Sequence, residues 1–98
     1  MCGIIGINSN KPVSATIINS LKKLEYRGYD SAGIATLSGG LINEVKSEGR
    51  VDNLEKNSLV KSMEGTIGIG HVRWATHGLP NSVNAHPHSS QNVSVVHN

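Results

Sequence analysis

Two short apolar runs carry glycines inside them, and that combination limits the fold more than any other feature of the chain. Residues 2–7 contain Gly3 and Gly6, and residues 66–74 contain Gly68 and Gly70. Both runs read as strands, and a glycine inside a strand marks close approach of another backbone or a ligand. Between them Val13, Ile17, Leu21 and Leu24 recur at spacings of four, four and three. That is one apolar helical stripe, with Pro12 at its start and Lys22 and Lys23 near its end. Residues 32–37 and 41–46 flank Ser38-Gly39-Gly40 and predict a hairpin. Residues 51–63 predict a second helix, capped by Asp52 and stopped by Gly65. Asn53, Asn57 and Ser58 are mediocre helix formers within it. Residues 75–92, rich in Pro, Asn, Ser and His, read as a long loop, and residues 93–98 begin another strand. Strand, helix, hairpin, helix, strand, loop, strand is the order of an α+β fold with antiparallel strands.

Ninety-eight residues make one domain or a piece of one, and the unfinished last strand reads as part of something larger. Aromatic residues are 3% of the chain and Phe is absent, so Ile, Val, Leu and Ala must build the core, with Trp74, Tyr26 and Tyr29 as its rings. The net charge is +2, and the basic residues are scattered apart from Lys22-Lys23. No nucleic-acid partner is expected from that pattern. No apolar run reaches the length of a membrane span, and the N-terminus lacks a secretory layout, so no membrane partner is expected. A single cysteine forms no internal disulfide, which fits a reducing compartment and places the protein in the cytoplasm. Neither phosphate-loop nor dinucleotide glycine spacing occurs. His86 and His88 lie two apart, with His71, His77 and His97 elsewhere, but a second cysteine and a His-Glu-x-x-His helix are absent. Neither a metal nor a cofactor is expected.

Two residues can carry chemistry. Cys2 follows a removable Met, and with Met1 gone its thiol sits beside its own α-amine. An α-amine titrates near 8, about two units below a lysine, so much of it is neutral near neutral pH and can act as a built-in general base. The other reading of Cys2 is a small buried hydrophobe at a strand start. Arg73 ends a glycine-rich strand beside a loop. There its planar fork can grip a carboxylate with two parallel bonds, or form a structural ion pair.

Several segments together carry a family resemblance. Met1-Cys2-Gly3-Ile4-Ile5-Gly6 resembles the opening of class II, N-terminal-nucleophile glutamine amidotransferases. Leu24-Glu25-Tyr26-Arg27-Gly28-Tyr29-Asp30-Ser31-Ala32-Gly33 resembles, within that class, the isomerizing glutamine–fructose-6-phosphate aminotransferases. Residues 70–78, 84–88 and 95–98 are similar to the same enzymes, while residues 38–64 carry no motif. The amidophosphoribosyltransferases usually carry a His-Arg-Gly-Gln type of sequence where this chain has Tyr26-Arg27-Gly28-Tyr29-Asp30.

The resemblance implies a four-layer α-β-β-α sandwich, of which residues 1–98 are the first part. It implies that Cys2 attacks the side-chain amide of glutamine to form a thioester, releasing ammonia. Asn98 would stabilise the oxyanion, and Arg73 would hold the substrate carboxylate with Thr76 and His77 beside it. Trp74 would gate ammonia on its way to a second site, and Arg27 and Tyr29 would support the nucleophile loop. In the full-length enzyme fructose-6-phosphate would be the acceptor, yielding glucosamine-6-phosphate and glutamate, within a homo-oligomer. The sugar-phosphate isomerase domains, a glycine after Asn98 and a downstream acidic residue are expected outside these residues, so the 98 residues alone are expected to be inactive. The rival readings are another class II amidotransferase and a non-catalytic glutamine-binding module built on the same fold.

Overall fold

The computed structural model describes residues 1–98. Strand β1 is Gly3–Asn8 and helix α1 is Ser14–Leu24, followed by one 3-10 turn at Glu25–Arg27. Strands β2 (Ser31–Ser38) and β3 (Leu41–Glu48) form the expected hairpin. Its two-residue turn, Gly39-Gly40, has φ of 57° and 77°, the left-handed pair that matches the twist of an antiparallel hairpin and that glycine adopts without strain. Helices α2 (Val51–Glu55) and α3 (Ser58–Lys61) lead to β4 (Ile67–Arg73), and two short strands close the chain, β5 (His88–Ser89) and β6 (Ser94–Val95).

The main sheet has the order β1-β4-β2-β3 and is antiparallel throughout. The second glycine-bearing run therefore inserts between the first strand and the hairpin. Side-chain alternation sends Gly70 and Val72 of β4 toward α1 and sends Ile69, His71 and Arg73 to the opposite face. A Cβ on Gly70 would stand 2.6 Å from Ile17 Cγ2, so α1 can lie this low on the sheet only over a glycine. At Gly70 the close approach is made by side chains, Ile17 and Leu21 of α1 among them, and not by another backbone or a ligand as the glycine pattern suggested.

The core lies between the sheet and its three helices. Val13, Ile17, Ile18 and Leu21 of α1 meet Ala32, Ile34, Val45 and Val72 of the sheet and Val51, Leu54, Val60 and Met63 of the α2–α3 segment. Burying each large aliphatic side chain stabilises the fold by about 1.5–3 kcal/mol. The rings are not part of this core: Tyr26, Tyr29 and Trp74 are exposed. Each carries a polar atom on its ring, and aliphatic side chains already fill the space beneath α1.

Three other expectations need correction. The helix foreseen over residues 51–63 is two short ones, because the Asn57 side chain accepts a hydrogen bond from the Leu59 N–H at 2.9 Å and starts a new helix. Asp52 is not the cap; Arg50 holds that position, and Asp52 lies in the first turn, 3.8 Å from Lys22 Nζ. Pro12 likewise stays outside α1, whose cap position is Val13.

Both sheets are antiparallel and combine with helices, in keeping with the α+β expectation. The β5–β6 ladder lies against the face turned away from α1, where the Ser89 hydroxyl donates to Glu44 of β3. Ile4, Leu37 and Ile67 remain exposed. No helix is long and apolar enough to cross a membrane.

Candidate active site

Cys2 precedes β1 by one residue, and Arg73 ends β4. Because Gly3 pairs with Val72, Cys2 and Arg73 stand at the next rung of the same ladder. On its other side Arg73 pairs with Ser31 of β2, which brings Asp30 to the same end of the sheet. Chemistry-bearing residues from three separate stretches thus meet at one edge.

Asp30 fastens this edge. Its backbone N–H donates to the Arg73 carbonyl at 3.2 Å, and its own carbonyl accepts from Gly49 at 2.8 Å. Its carboxylate accepts from the Ala75 N–H and, at 2.9 Å, from the Ser31 hydroxyl. Gly28 makes the contact possible: a Cβ there would lie 2.4 Å from the Arg73 carbonyl carbon and 2.6 Å from the Trp74 nitrogen. The Glu25–Asp30 stretch, which periodicity alone makes a polar turn, is therefore the strap that positions Arg73 and Trp74.

Arg73 is 8% exposed and forms no ion pair. Its fork donates to two backbone carbonyls of the following loop, those of His77 and, at 3.0 Å, Leu79. Five N–H groups are available on a guanidinium, so donors remain for a further acceptor. Thr76 and His77 are exposed on that loop. Trp74 is also exposed, with Tyr29 set edge-on at 5.7 Å between ring centroids. The guanidinium of Arg50 covers the Tyr29 ring at 4.8 Å and pairs with Glu25 at 3.2 Å. Arg27 donates to the hydroxyl of its neighbour Tyr26 at 3.2 Å rather than bonding to Cys2.

The last residue closes the arrangement. Asn98 Oδ1 accepts a hydrogen bond from the backbone nitrogen of Cys2 at 3.0 Å. With its oxygen held, the carboxamide keeps its NH2 group, two donors, out of that bond. Cys2 itself is partly exposed and free.

Behind this edge lies a group of histidines to which motif reading gave no role. His71 is fully buried and its ring stacks on His86 at 4.3 Å and 18°, while His88 meets His86 edge-on at 4.5 Å. Burial lowers the His71 pKa, against a hydrogen bond to the His97 carbonyl that raises it. Burial, then the charges of His71 and His88, push His86 down to about 4. Among the residues described, no group of three His, Cys, Asp or Glu is disposed to hold a metal ion. The sequence signal for His71 was its position in β4: one residue from Gly70, it must face away from α1. Asp30 carried no such signal, because its partners come from residues 31, 49, 73 and 75.

No family model matches the chain. The isomerizing glutamine–fructose-6-phosphate aminotransferase of Bradyrhizobium diazoefficiens is 55% identical over all 98 residues, and that of Mesorhizobium japonicum 54%. The chain spans 16% of the length of these relatives. Among solved structures, the glutamine phosphoribosylpyrophosphate amidotransferase from B. subtilis, complexed with ADP and GMP, superimposes with a TM-score of 0.77 at 27% identity. It matches 96% of this chain and 20% of its own. A structure described as the allosteric regulatory enzyme of purine biosynthesis gives 0.78 at 28% identity, over 89% of this chain and 18% of that one. The fold is the one these glutamine amidotransferases carry.

Proposed function

We propose that this chain, 55% identical over its whole length to the N-terminal part of isomerizing glutamine–fructose-6-phosphate aminotransferases, is the first part of a glutaminase domain with Cys2 as its nucleophile. The observation that carries the reading is the contact between the Cys2 nitrogen and Asn98 Oδ1 at 3.0 Å. It brings a side-chain amide against the residue that carries the chain's one thiol.

After removal of Met1, the α-amine of Cys2 takes the thiol proton and the sulfur attacks the side-chain carbonyl carbon of glutamine. The carbonyl π pair moves onto oxygen, and the Asn98 NH2 group donates to that oxyanion. Collapse of the intermediate expels ammonia, with the proton returned by the α-amine, and leaves a γ-glutamyl thioester. Water, deprotonated by the same amine, attacks the thioester carbonyl; the C–S bond breaks, the Cys2 sulfur takes the proton back from the amine, and glutamate is released. Arg73 supplies cationic N–H donors for the substrate carboxylate and holds the loop that carries Thr76 and His77. Trp74, exposed and braced by Tyr29, stands where ammonia leaves, and Arg27 and Tyr29 belong to the strap beneath it.

In the full-length protein the ammonia passes to fructose-6-phosphate, and glucosamine-6-phosphate is the second product, made by a cytoplasmic homo-oligomer. The test is glutamate release from glutamine by the full-length protein and its Cys2→Ala variant. Loss of release in the variant, with synthesis from free ammonia retained, is the expected result. Undiminished glutamate release from Cys2→Ala contradicts the assignment.

A further inference from the structure

His71 occupies the middle of the functional face without touching the nucleophile. It sits on β4, paired with Ile4 of β1 and Gly33 of β2, and it is fully buried. Its Nε2 lies 2.8 Å from the backbone carbonyl of His97. A carbonyl only accepts, so Nε2 carries the proton and Nδ1 is the bare nitrogen; Nδ1 is buried and has no partner. A buried polar ring atom without a partner costs stability, so the ring is held here for its other edge.

The surroundings fix that edge. The His86 ring stacks on His71 at 4.3 Å. The backbone of His86 in turn lies on Gly33, where a Cβ would come within 1.9 Å of the His86 oxygen. Opposite His71 in the ladder, then, only a glycine admits the segment whose ring keeps His71 upright. Ring, stack and cradle all aim one N–H at one carbonyl, and the next residue along the chain is Asn98.

We propose that His71 is a positioning residue for the glutaminase centre: by holding the His97 carbonyl it sets Asn98 against the nitrogen of Cys2. The proposal rests on the glutaminase reading above. It makes a distinction that bulk stability does not make. Gln can place an N–H where Nε2 of a histidine stands, whereas the shorter Asn reaches only the Nδ1 position. Leu fills the space with no donor at all.

The experiment measures glutamate release against glutamine concentration in the full-length protein with His71→Gln, His71→Asn and His71→Leu. Misplacing a catalytic group by about an ångström costs up to about a hundredfold in rate. His71→Gln is expected to stay within about threefold of the parent kcat, while Asn and Leu lower it about ten- to a hundredfold, with KM within about twofold. In an Asn98→Ala background the His71→Asn loss should vanish, because the residue it positions is already gone. If His71→Asn and His71→Leu do not fold, His86→Leu, which removes the stack and leaves the donor, should lower kcat in the parent and not in Asn98→Ala. Parent-like kcat in a folded His71→Asn, or a loss that persists undiminished without Asn98, overturns the proposal. Glutamate release that does not depend on Cys2 overturns the glutaminase reading itself, and this proposal with it.

Discussion

The backbone nitrogen of Cys2 and the side-chain oxygen of Asn98 stand 96 positions apart in sequence and form a donor–acceptor pair of 3.0 Å. The pair ties the segment after β6 to the start of β1, and it decides which way the Asn98 carboxamide faces. With the oxygen toward the Cys2 nitrogen, the two N–H donors of the carboxamide are not used in that bond.

Asn98→Ala removes that donor and Asn98→Asp replaces it with a carboxylate. Loss of one oxyanion donor typically costs about 10²–10³ in kcat. The aspartate keeps an acceptor for the Cys2 nitrogen, so the local geometry survives, but it adds negative charge where the intermediate gathers its own. Glutaminase kcat should therefore fall by about 10²–10³ in Asn98→Ala and at least as far in Asn98→Asp. Labelling of Cys2 by an electrophilic glutamine analogue reports whether substrate still binds. Equal kcat in parent and Asn98→Ala would remove the asparagine from the chemistry.

Arg73 makes a two-part prediction, because its fork already holds the His77 and Leu79 carbonyls. Lysine offers three donors from a single point and cannot span two carbonyls and a carboxylate together. Arg73→Lys should raise KM for glutamine while leaving kcat near the parent value. Hydrogen bonds to charged groups contribute about 1.5–3 kcal/mol each, so the loop should also loosen. Kinetics beside thermal melts separates the two. A lowered melting temperature with unchanged KM leaves Arg73 as a loop clamp only.

The elements whose cause is local were legible in the sequence. The Val13, Ile17, Leu21, Leu24 stripe is the buried side of α1, and Gly39-Gly40 is the hairpin turn. Where a single side chain competes with its own backbone, pattern reading failed, as at Asn57, whose cap splits the expected second helix. Residue chemistry singled out Cys2 and Arg73, the motif resemblance chose between their readings and added Asn98, and the fold brings the first two to one ladder end and the third against Cys2. Roles that depend on distant partners were not legible. Asp30 and His71 act through residues 19 to 45 positions away, and no period or spacing records such contacts.

Acid should weaken this fold through its buried imidazoles. An unfolded histidine titrates near 6.5, and burial holds His86 at about 4 and His71 below its ordinary value. Both are neutral in the fold; the charges of Arg73 and His88 oppose protonation of both, Lys46 opposes that of His86, and Asp30 favours that of His71. As pH drops below about 6.5 the unfolded chain binds protons that the folded chain does not, so stability present above that value is lost on the way down to about 4. His86→Gln, which does not titrate, should narrow its melting-temperature deficit against the parent as pH falls from 7.5 to 5.0. A deficit independent of pH would show that His86 is protonated alike in both states.

Met1 gives the last prediction. With Met1 in place the Cys2 nitrogen is a peptide N–H, spending its one proton on Asn98. A peptide nitrogen has no basic lone pair, so the thiol beside it has no local base. Removing Met1, whose side chain is exposed, turns that nitrogen into an amine. The amine keeps a hydrogen for Asn98 Oδ1 and gains a lone pair; an α-amine titrates at about 7.7–8.0, which leaves a useful neutral fraction near pH 7.5. One geometry thus serves both forms, and only the second carries a base. A positioned general base is worth about 10²–10⁴ in rate. A protein in which one lysine is inserted between Met1 and Cys2 retains its initiator and should lose glutaminase activity by at least about a hundredfold. Synthesis from free ammonia, which does not use Cys2, should persist. Across mixed preparations, turnover should scale with the fraction of chains that mass spectrometry shows to begin at Cys2. Full glutaminase activity in chains that still carry Met1 would mean that some other group takes the thiol proton, and the α-amine would lose the role given to it here.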